Sequence, residues 1–183
     1  LEKQIEFLQN NPDVSMLGGQ CKLIDKEGGL IGEKRFPTDD NSIFSSLFIR
    51  NPIQHPSCVI NLKNLTSYAM LHDGNSVLAH DLELVFLASQ KGRLANLGDN
   101  ILKYRQYPGS FSLTSPKKTF FATLAVRIGS VLKYRYVPSV KGVLTTLVQI
   151  VFVVLSPSPW IYPIYSYLGG MRKIGLKGAK ISF

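Results

Sequence analysis

The chain has 183 residues, of which 45% are hydrophobic and 18% charged. This length and composition suit one domain with a sizeable core, and they exclude an intrinsically disordered chain. The formal net charge is +9. It is unevenly distributed, because residues 1–99 carry all 12 acidic residues and nine Lys or Arg, whereas residues 100–183 carry 12 Lys or Arg and no acid. A net charge of −3 before residue 100 and +12 after it predicts two physically different parts.

The basic residues of the second part are interleaved with long apolar runs. A tail that binds nucleic acid is more typically polar, whereas basic residues next to apolar ones are typical of segments that bind an anionic membrane surface. We therefore expect an anionic membrane surface as a partner, and no nucleic acid. Cys21 and Cys58, the only cysteines, lie in no metal-binding or CxxC pattern and are expected to be free thiols.

The N-terminal half alternates short helices and strands, which hydrophobic periodicity, glycines, prolines and cap residues define. In the first helix, Leu1, Ile5 and Leu8 are expected to share one face. In chain order the predicted elements are a helix over residues 1–9, a strand over 14–17 that ends at Gly18-Gly19, a hairpin of strands 22–24 and 30–33, a capped helix over 42–49 and a strand over 57–60.

The strongest helix signal covers residues 81–90. Leu82, Val85 and Phe86 form an apolar stripe, and Lys91-Gly92 is a typical helix end. Short strands are predicted over residues 94–97 and 101–104. The segments 68–77 and 107–110 are expected to be irregular, and the second of them to close the globular part.

The character of the sequence changes at Pro116. Residues 117–136 are predicted to form a basic amphipathic helix, and residues 143–155 are almost entirely apolar. Prolines then interrupt a stretch rich in Trp and Tyr, which favour membrane interfaces. The unbroken apolar run is shorter than the ~20 residues of a spanning helix. An interfacial or re-entrant segment is therefore favoured, a spanning helix or a soluble helical subdomain being the alternatives. The expected parts are residues 1–115 and 116–183.

Several polar residues are candidates for chemistry, although each also has a simple structural interpretation. Asp81 and Glu83 begin the predicted helix, where acidic residues complement the helix dipole. His80 precedes them as a possible proton relay, metal ligand or polar residue before a helix. His55 and Ser57 lie in a loop that enters a strand. Arg105, next to Tyr104 and near Tyr107, offers a bidentate fork to a phosphate or lies at a surface strand end.

The order of the motifs carries more information than any one of them. In sequence the motifs are Leu1-Glu2-Lys3-Gln4, Asn11-Pro12-Asp13-Val14, Phe36-Pro37-Thr38-Asp39, Arg50 through Ser57, Asp81-Leu82-Glu83-Leu84, Lys91-Gly92, Leu102-Lys103-Tyr104-Arg105 and Ser110-Phe111-Ser112. This ordered set, over roughly residues 1–112, resembles the second half of a family 2 glycosyltransferase.

The resemblance implies an α/β fold, namely the acceptor-side half of a GT-A, Rossmann-like domain with a mixed sheet. It implies sugar transfer from a nucleotide-diphosphate sugar to a hydroxyl of a saccharide or lipid-linked acceptor, with inversion. Asp81 aligns with the catalytic general base, and His80 stands where the family has a glutamate. His80, Glu83, His55, Ser57 and Arg105 are the candidate substrate-binding residues. A divalent cation, Mg²⁺ or Mn²⁺, is expected to neutralise the leaving diphosphate.

The family's Asp-x-Asp metal motif and its nucleotide-binding half do not occur in this sequence. We therefore expect a C-terminal fragment that is inactive alone and belongs to an enzyme of bacterial surface polysaccharide or lipopolysaccharide synthesis. The expected location is the cytoplasmic face of the inner membrane, peripheral or re-entrant. The alternative is a non-catalytic module that binds a membrane or a partner protein.

Overall fold

The computed structural model describes residues 1–64, 79–106, 115–168 and 171–173. Within these residues the fold is α/β, with six helices and one mixed sheet of five strands. The helices are α1 (Glu2–Asn10), α2 (Asp40–Ser46), α3 (His80–Ser89), α4 (Pro116–Lys133), α5 (Val140–Leu155) and α6 (Ser158–Leu168). The strands are β1 (Val14–Ile24), β2 (Leu30–Lys34), β3 (Val59–Ile60), β4 (Arg93–Arg105) and β5 (Met171–Lys173).

The long strand β1 organises the sheet. One edge of β1 pairs in parallel with β4 along its whole length. The other edge pairs antiparallel with β3 at Met16 and Leu17, and with β2 from Cys21 onward. Strand β5 then pairs antiparallel with β2. The parallel crossover from β1 to β4 contains α2 and α3, so the helix that carries Asp81 packs close to the centre of the sheet.

Two predicted strand boundaries are wrong. The strand that was expected to stop at Gly18-Gly19 continues to Ile24, and the strands expected over residues 94–97 and 101–104 are a single strand, β4. Glycine suits these two strand positions because neighbouring side chains approach the backbone closely there. A Cβ on Gly18 would overlap the Asn96 amide and lie 2.8 Å from Ile53, and one on Gly19 would lie 2.5 Å from Ile101.

The hairpin between β1 and β2 is confirmed at Asp25–Gly29. Gly28 has φ +94, which glycine adopts without strain, and the Asp25 carboxylate accepts a hydrogen bond from the Gly29 amide at 2.7 Å. The cap predicted before the second helix is confirmed too, because Asp39 Oδ1 accepts from the Ser42 amide at 2.9 Å. The strand predicted over residues 57–60 is shorter: a 3-10 turn over His55–Ser57 precedes the two-residue β3.

The face predicted for the first helix is wrong. Leu1 and Ile5 are 79% and 47% exposed, whereas Gln4 is buried and Leu8 packs on the core. The glutamine turns inward because its Nε2 donates to the Ser57 carbonyl over 2.8 Å, which satisfies a buried backbone acceptor. A backbone acceptor 53 residues away has no local sequence signal.

The main core lies between the sheet and helices α2 and α3, and Tyr136 from the C-terminal part fills it. Its ring centroid lies 4.8 Å from that of Phe44 and 5.1 Å from that of Phe86, and its hydroxyl donates to the Phe44 carbonyl at 2.9 Å. The helix predicted over residues 117–136 therefore ends earlier, at Lys133, and Arg135 with φ +51 redirects the chain inward. The boundary at residue 115 stays a prediction.

Among the described helices, none has both the length and the apolar character needed to cross a membrane. The interfacial segment expected from the sequence overlaps α5 and α6. The irregular segments expected over residues 68–77 and 107–110, and the C-terminal Lys177 and Lys180, lie outside the described residues.

Candidate active site

Asp81 lies in the first turn of α3, where the helix begins after Ala79. Its carboxylate is partly buried and each oxygen accepts a hydrogen bond. Oδ1 accepts from the Leu82 amide at 2.9 Å, and Oδ2 accepts from Asn51 Nδ2 at 3.0 Å. The carboxylate is therefore held in one orientation and keeps lone pairs for a further partner, which is what a positioned base requires.

The loop that contains Asn51 is itself firmly held. The buried Asn96 amide of β4 donates to the Pro37 carbonyl at 2.7 Å and to the Pro52 carbonyl at 3.0 Å. Ile53 inserts into the core, and its amide donates to Asn51 Oδ1 at 3.2 Å. Strand β4 thus fixes the loop, and the loop fixes the Asp81 carboxylate.

Cys58 extends this group of residues. Burial raises the pKa of the Cys58 thiol, and the negative charge of Asp81 raises that pKa further. The Cys58 sulfur lies 4.0 Å from Nδ1 of His55, whose side chain is exposed. The structure thus brings Asn51 and Cys58 close to Asp81 near the N-terminus of α3, with His55 beside Cys58.

Ser57 has structural contacts in this loop. Its hydroxyl donates to the Gln54 carbonyl at 2.7 Å, and its own carbonyl accepts from Gln4. The side chain is buried. These bonds close the 3-10 turn and dock α1, and the substrate-binding role of Ser57 stays a prediction.

Glu83 follows Asp81 by two residues and faces another element. Side chains two residues apart on an α-helix point in directions about 200° apart around the helix axis, so the two carboxylates diverge. Glu83 Oε1 accepts from Lys133 Nζ at 2.7 Å and from the Tyr134 hydroxyl at 3.4 Å, which joins α3 to the end of α4. His80, the first residue of α3, is partly buried. Substrate binding by His80 and Glu83 stays a prediction.

Arg105 lies at the other end of β4 from the α3–β4 connection. Its Nη1 donates to the Asp25 carbonyl at 2.8 Å and to the Lys26 carbonyl at 2.6 Å, so it fastens the β1–β2 hairpin. These contacts do not bring it to the Asp81 carboxylate. Its partner in the sequence prediction, Tyr107, lies outside the described residues. The phosphate-binding role of Arg105 stays a prediction.

No group of three or more His, Cys, Asp or Glu in the described part of the chain is arranged to hold a metal ion. Sequence reasoning singled out Asp81 but missed Asn51, Cys58 and Asn96 as residues of this site. Asn51 has a partial signal, since it opens the Asn-Pro-Ile-x-His-Pro-Ser motif. The other two become visible only when β1, β4 and the loop are assembled.

The chain is similar to an uncharacterized glycosyltransferase of Haemophilus influenzae, with 24% identity over 113 residues. The match covers 57% of this chain and 35% of that relative, so it spans about a third of the relative's length. No family model matches the chain. No solved structure matches it either. The distant likeness supports a glycosyltransferase in general.

Proposed function

We propose that this chain forms the acceptor-side part of a family 2 glycosyltransferase with a GT-A fold, in which Asp81 is the general base. The observation that carries the proposal is the hydrogen bond from Asn51 to Asp81, because it joins the two motifs on which the resemblance rests. The likeness to a bacterial glycosyltransferase supports the same class of reaction.

In the proposed reaction an acceptor hydroxyl approaches the free lone pairs of the Asp81 carboxylate. The carboxylate takes the hydroxyl proton while the oxygen attacks the anomeric carbon of the sugar. The bond from that carbon to the diphosphate oxygen breaks, and the nucleoside diphosphate leaves with the electron pair. Attack in line with the leaving group inverts the anomeric configuration. Asn51 keeps the carboxylate oriented during proton transfer.

The proposal also covers the diphosphate of the sugar donor. A divalent cation, Mg²⁺ or Mn²⁺, would neutralise its charge, with ligands other than the described residues. The acceptor is proposed to be a saccharide or lipid-linked saccharide of a bacterial surface polymer. The proposed place of reaction is the cytoplasmic face of the inner membrane, where such acceptors are anchored.

The decisive variant is Asp81→Asn in the product of the complete reading frame that contains this sequence. The substitution keeps the side-chain size and an oxygen that accepts from Asn51, but it removes the base. We expect kcat to fall by about 10²- to 10⁴-fold. The measurement is nucleoside diphosphate release from a panel of nucleotide sugars, with a membrane lipid extract as acceptor.

Glu2→Gln is the matched control, because Glu2 is also an acid in a first helical turn. It should leave kcat unchanged, which separates a base from a residue that only complements a helix dipole. A rate for Asp81→Asn within about twofold of wild type would contradict the base assignment. Absence of any donor turnover by the wild-type product would favour the non-catalytic module instead.

A further inference from the structure

An ordinary surface helix turns its apolar side to the core, whereas helix α5 exposes its apolar side and turns polar side chains inward. Its buried face carries Gly142, Thr146 and Val153, with Gln149 partly buried beside them. Its exposed face is apolar, with side chains between 38% and 77% exposed. The exposed members are Val140, Val143, Leu144, Leu147, Val148, Val151, Val154 and Leu155. We call this set the α5 outer face.

The orientation of α5 is fixed by hydrogen bonds from its polar side. Thr146 Oγ1 donates to the Phe48 carbonyl at 2.8 Å, and Gln149 Nε2 donates to the Ile49 carbonyl at 3.2 Å. Arg127 of α4 donates to Gln149 Oε1 at 3.1 Å. Rotating the helix to bury its valines and leucines would break these three hydrogen bonds and leave buried polar groups without partners. These hydrogen bonds therefore keep the polar side of α5 inward and leave the outer face exposed.

Exposed apolar side chains also occur on the neighbouring helices. In the described residues, fourteen of the seventeen exposed large hydrophobic side chains lie between Phe121 and Ile164, among them Trp160 at 65%. On α5 itself the eight side chains cover one continuous side of the helix, and an exposed apolar patch of this kind marks an interaction surface. Lys141 on α5 borders this face by helical spacing, Lys118 of α4 and Arg135 of the α4–α5 connection are also exposed, and no acidic residue occurs after Asp99.

The charge pattern selects the partner. An apolar face with Lys141 at its border, in a part of the chain that carries basic residues, an exposed Trp and no acid, fits an anionic lipid interface. In a symmetric contact between two outer faces, a second copy of the chain would place basic residues against basic residues, since the acidic residues all lie at or before Asp99. We propose that the α5 outer face is the surface by which this protein lies on an anionic bilayer, with α5 parallel to the membrane plane.

This inference rests on the membrane location in the proposed function, and it adds a fixed geometry. The Phe48 and Ile49 carbonyls that hold α5 directly precede Arg50 and Asn51, and Asn51 holds Asp81. The docking helix and the base are thus braced by one short segment. A bilayer bound at the outer face would lie at a defined position relative to the Asp81 carboxylate.

The test is co-sedimentation of the complete gene product with vesicles of phosphatidylcholine alone or with a quarter phosphatidylglycerol. The variant Leu144→Gln, Leu147→Gln, Val151→Gln removes apolar contact at three exposed positions and should leave thermal unfolding unchanged. We expect its partitioning to anionic vesicles to fall by at least about tenfold. The control variant Ile5→Gln, Leu62→Gln changes exposed apolar residues elsewhere and should bind as wild type does.

Three results would overturn the inference. They are undiminished binding by the triple variant, equal binding to both vesicle types, and a lipid-free dimer that the triple variant dissociates in light scattering. Asp81→Asn separates the two proposals, because it should bind vesicles normally whether or not it transfers sugar. Vesicle binding that depends on the outer face, in a protein without sugar transfer, would sink the proposed function and leave this inference standing.

Discussion

Asn51 Nδ2 donates to Asp81 Oδ2 over 3.0 Å, across 30 residues of sequence, at a point where a loop meets the first turn of a helix. The same asparagine accepts from the Ile53 amide through its Oδ1. The Asn51 side chain therefore stabilises the conformation of its own loop and holds the Asp81 carboxylate. In the proposed reaction Asn51 is a positioning residue, which acts through Asp81.

Replacing Asn51 should affect catalysis more than substrate binding. In Asn51→Leu the Asp81 carboxylate loses its neutral donor and can rotate, so we expect kcat to fall by about ten- to a hundredfold. KM should change little, because no substrate contact is removed. Steady-state kinetics of the complete gene product measure both constants.

Asn64→Leu is the matched control, since the Asn64 side chain also donates a hydrogen bond, but to the Pro12 carbonyl at 3.0 Å and not to Asp81. It should lower thermal stability without lowering kcat. Equal kcat values for Asn51→Leu and wild type would show that the carboxylate needs no orientation by Asn51.

The Cys58 thiol reports on Asp81 independently of activity. The negative charge of Asp81 raises the pKa of Cys58, because it disfavours the thiolate. Asp81→Asn should therefore lower that pKa, and the alkylation rate of Cys58 should reach its midpoint at a lower pH than in wild type. At a fixed pH near 8, alkylation by iodoacetamide should be faster in the variant.

The Cys58→Ala variant measures the background reaction of Cys21, which is buried and whose pKa burial also raises, so that this background can be subtracted. Asp99→Asn serves as the charge control, because Asp99 pairs with Lys3 instead. An identical alkylation profile in Asp81→Asn and wild type would place the carboxylate too far from Cys58 for the geometry described.

The Tyr136 ring makes the C-terminal helices part of the main core. It is 1% exposed and contacts three phenylalanine rings. Tyr136→Ala should lower the free energy of unfolding by about 3–5 kcal/mol, as large-to-small core changes do. Tyr136→Phe removes only the hydrogen bond to Phe44 and should cost about 1 kcal/mol.

Urea denaturation monitored by circular dichroism measures both changes. Leu132→Ala is the comparison, because Leu132 is 85% exposed and its loss should change stability by less than about 0.5 kcal/mol. If Tyr136→Ala unfolds like wild type, the helices after residue 115 do not contribute to the core that contains α3.

Local sequence signals predicted the parts of this fold that depend on local physics. The helix at residues 81–90, the hairpin at Asp25–Gly29 and the Asp39 cap were all visible, because periodicity, glycine conformation and a short polar side chain act over a few residues. The class of fold, α/β with a mixed sheet, followed from the resemblance.

The features that could not be predicted depend on contacts between residues far apart in the sequence. The length of β1 is set by its partner β4, more than 70 residues away, which overrides the glycines as stop signals. The inward position of Gln4 depends on the Ser57 carbonyl. For the site, Asp81 was recognisable from its motif, but its orientation required Asn51, and Arg105 turned out to hold a hairpin.

Gly18 affects the Asn51 loop indirectly, through Asn96. A methyl group at this position would collide with the Asn96 amide, which holds the Pro37 and Pro52 carbonyls and through them the loop of Asn51. A side chain at position 18 would thus displace Asn96 or Ile53, although the position touches no reacting group. Among related sequences, an unvarying glycine here would report the spacing between two strands, and reading it as a sugar contact would misplace the active site.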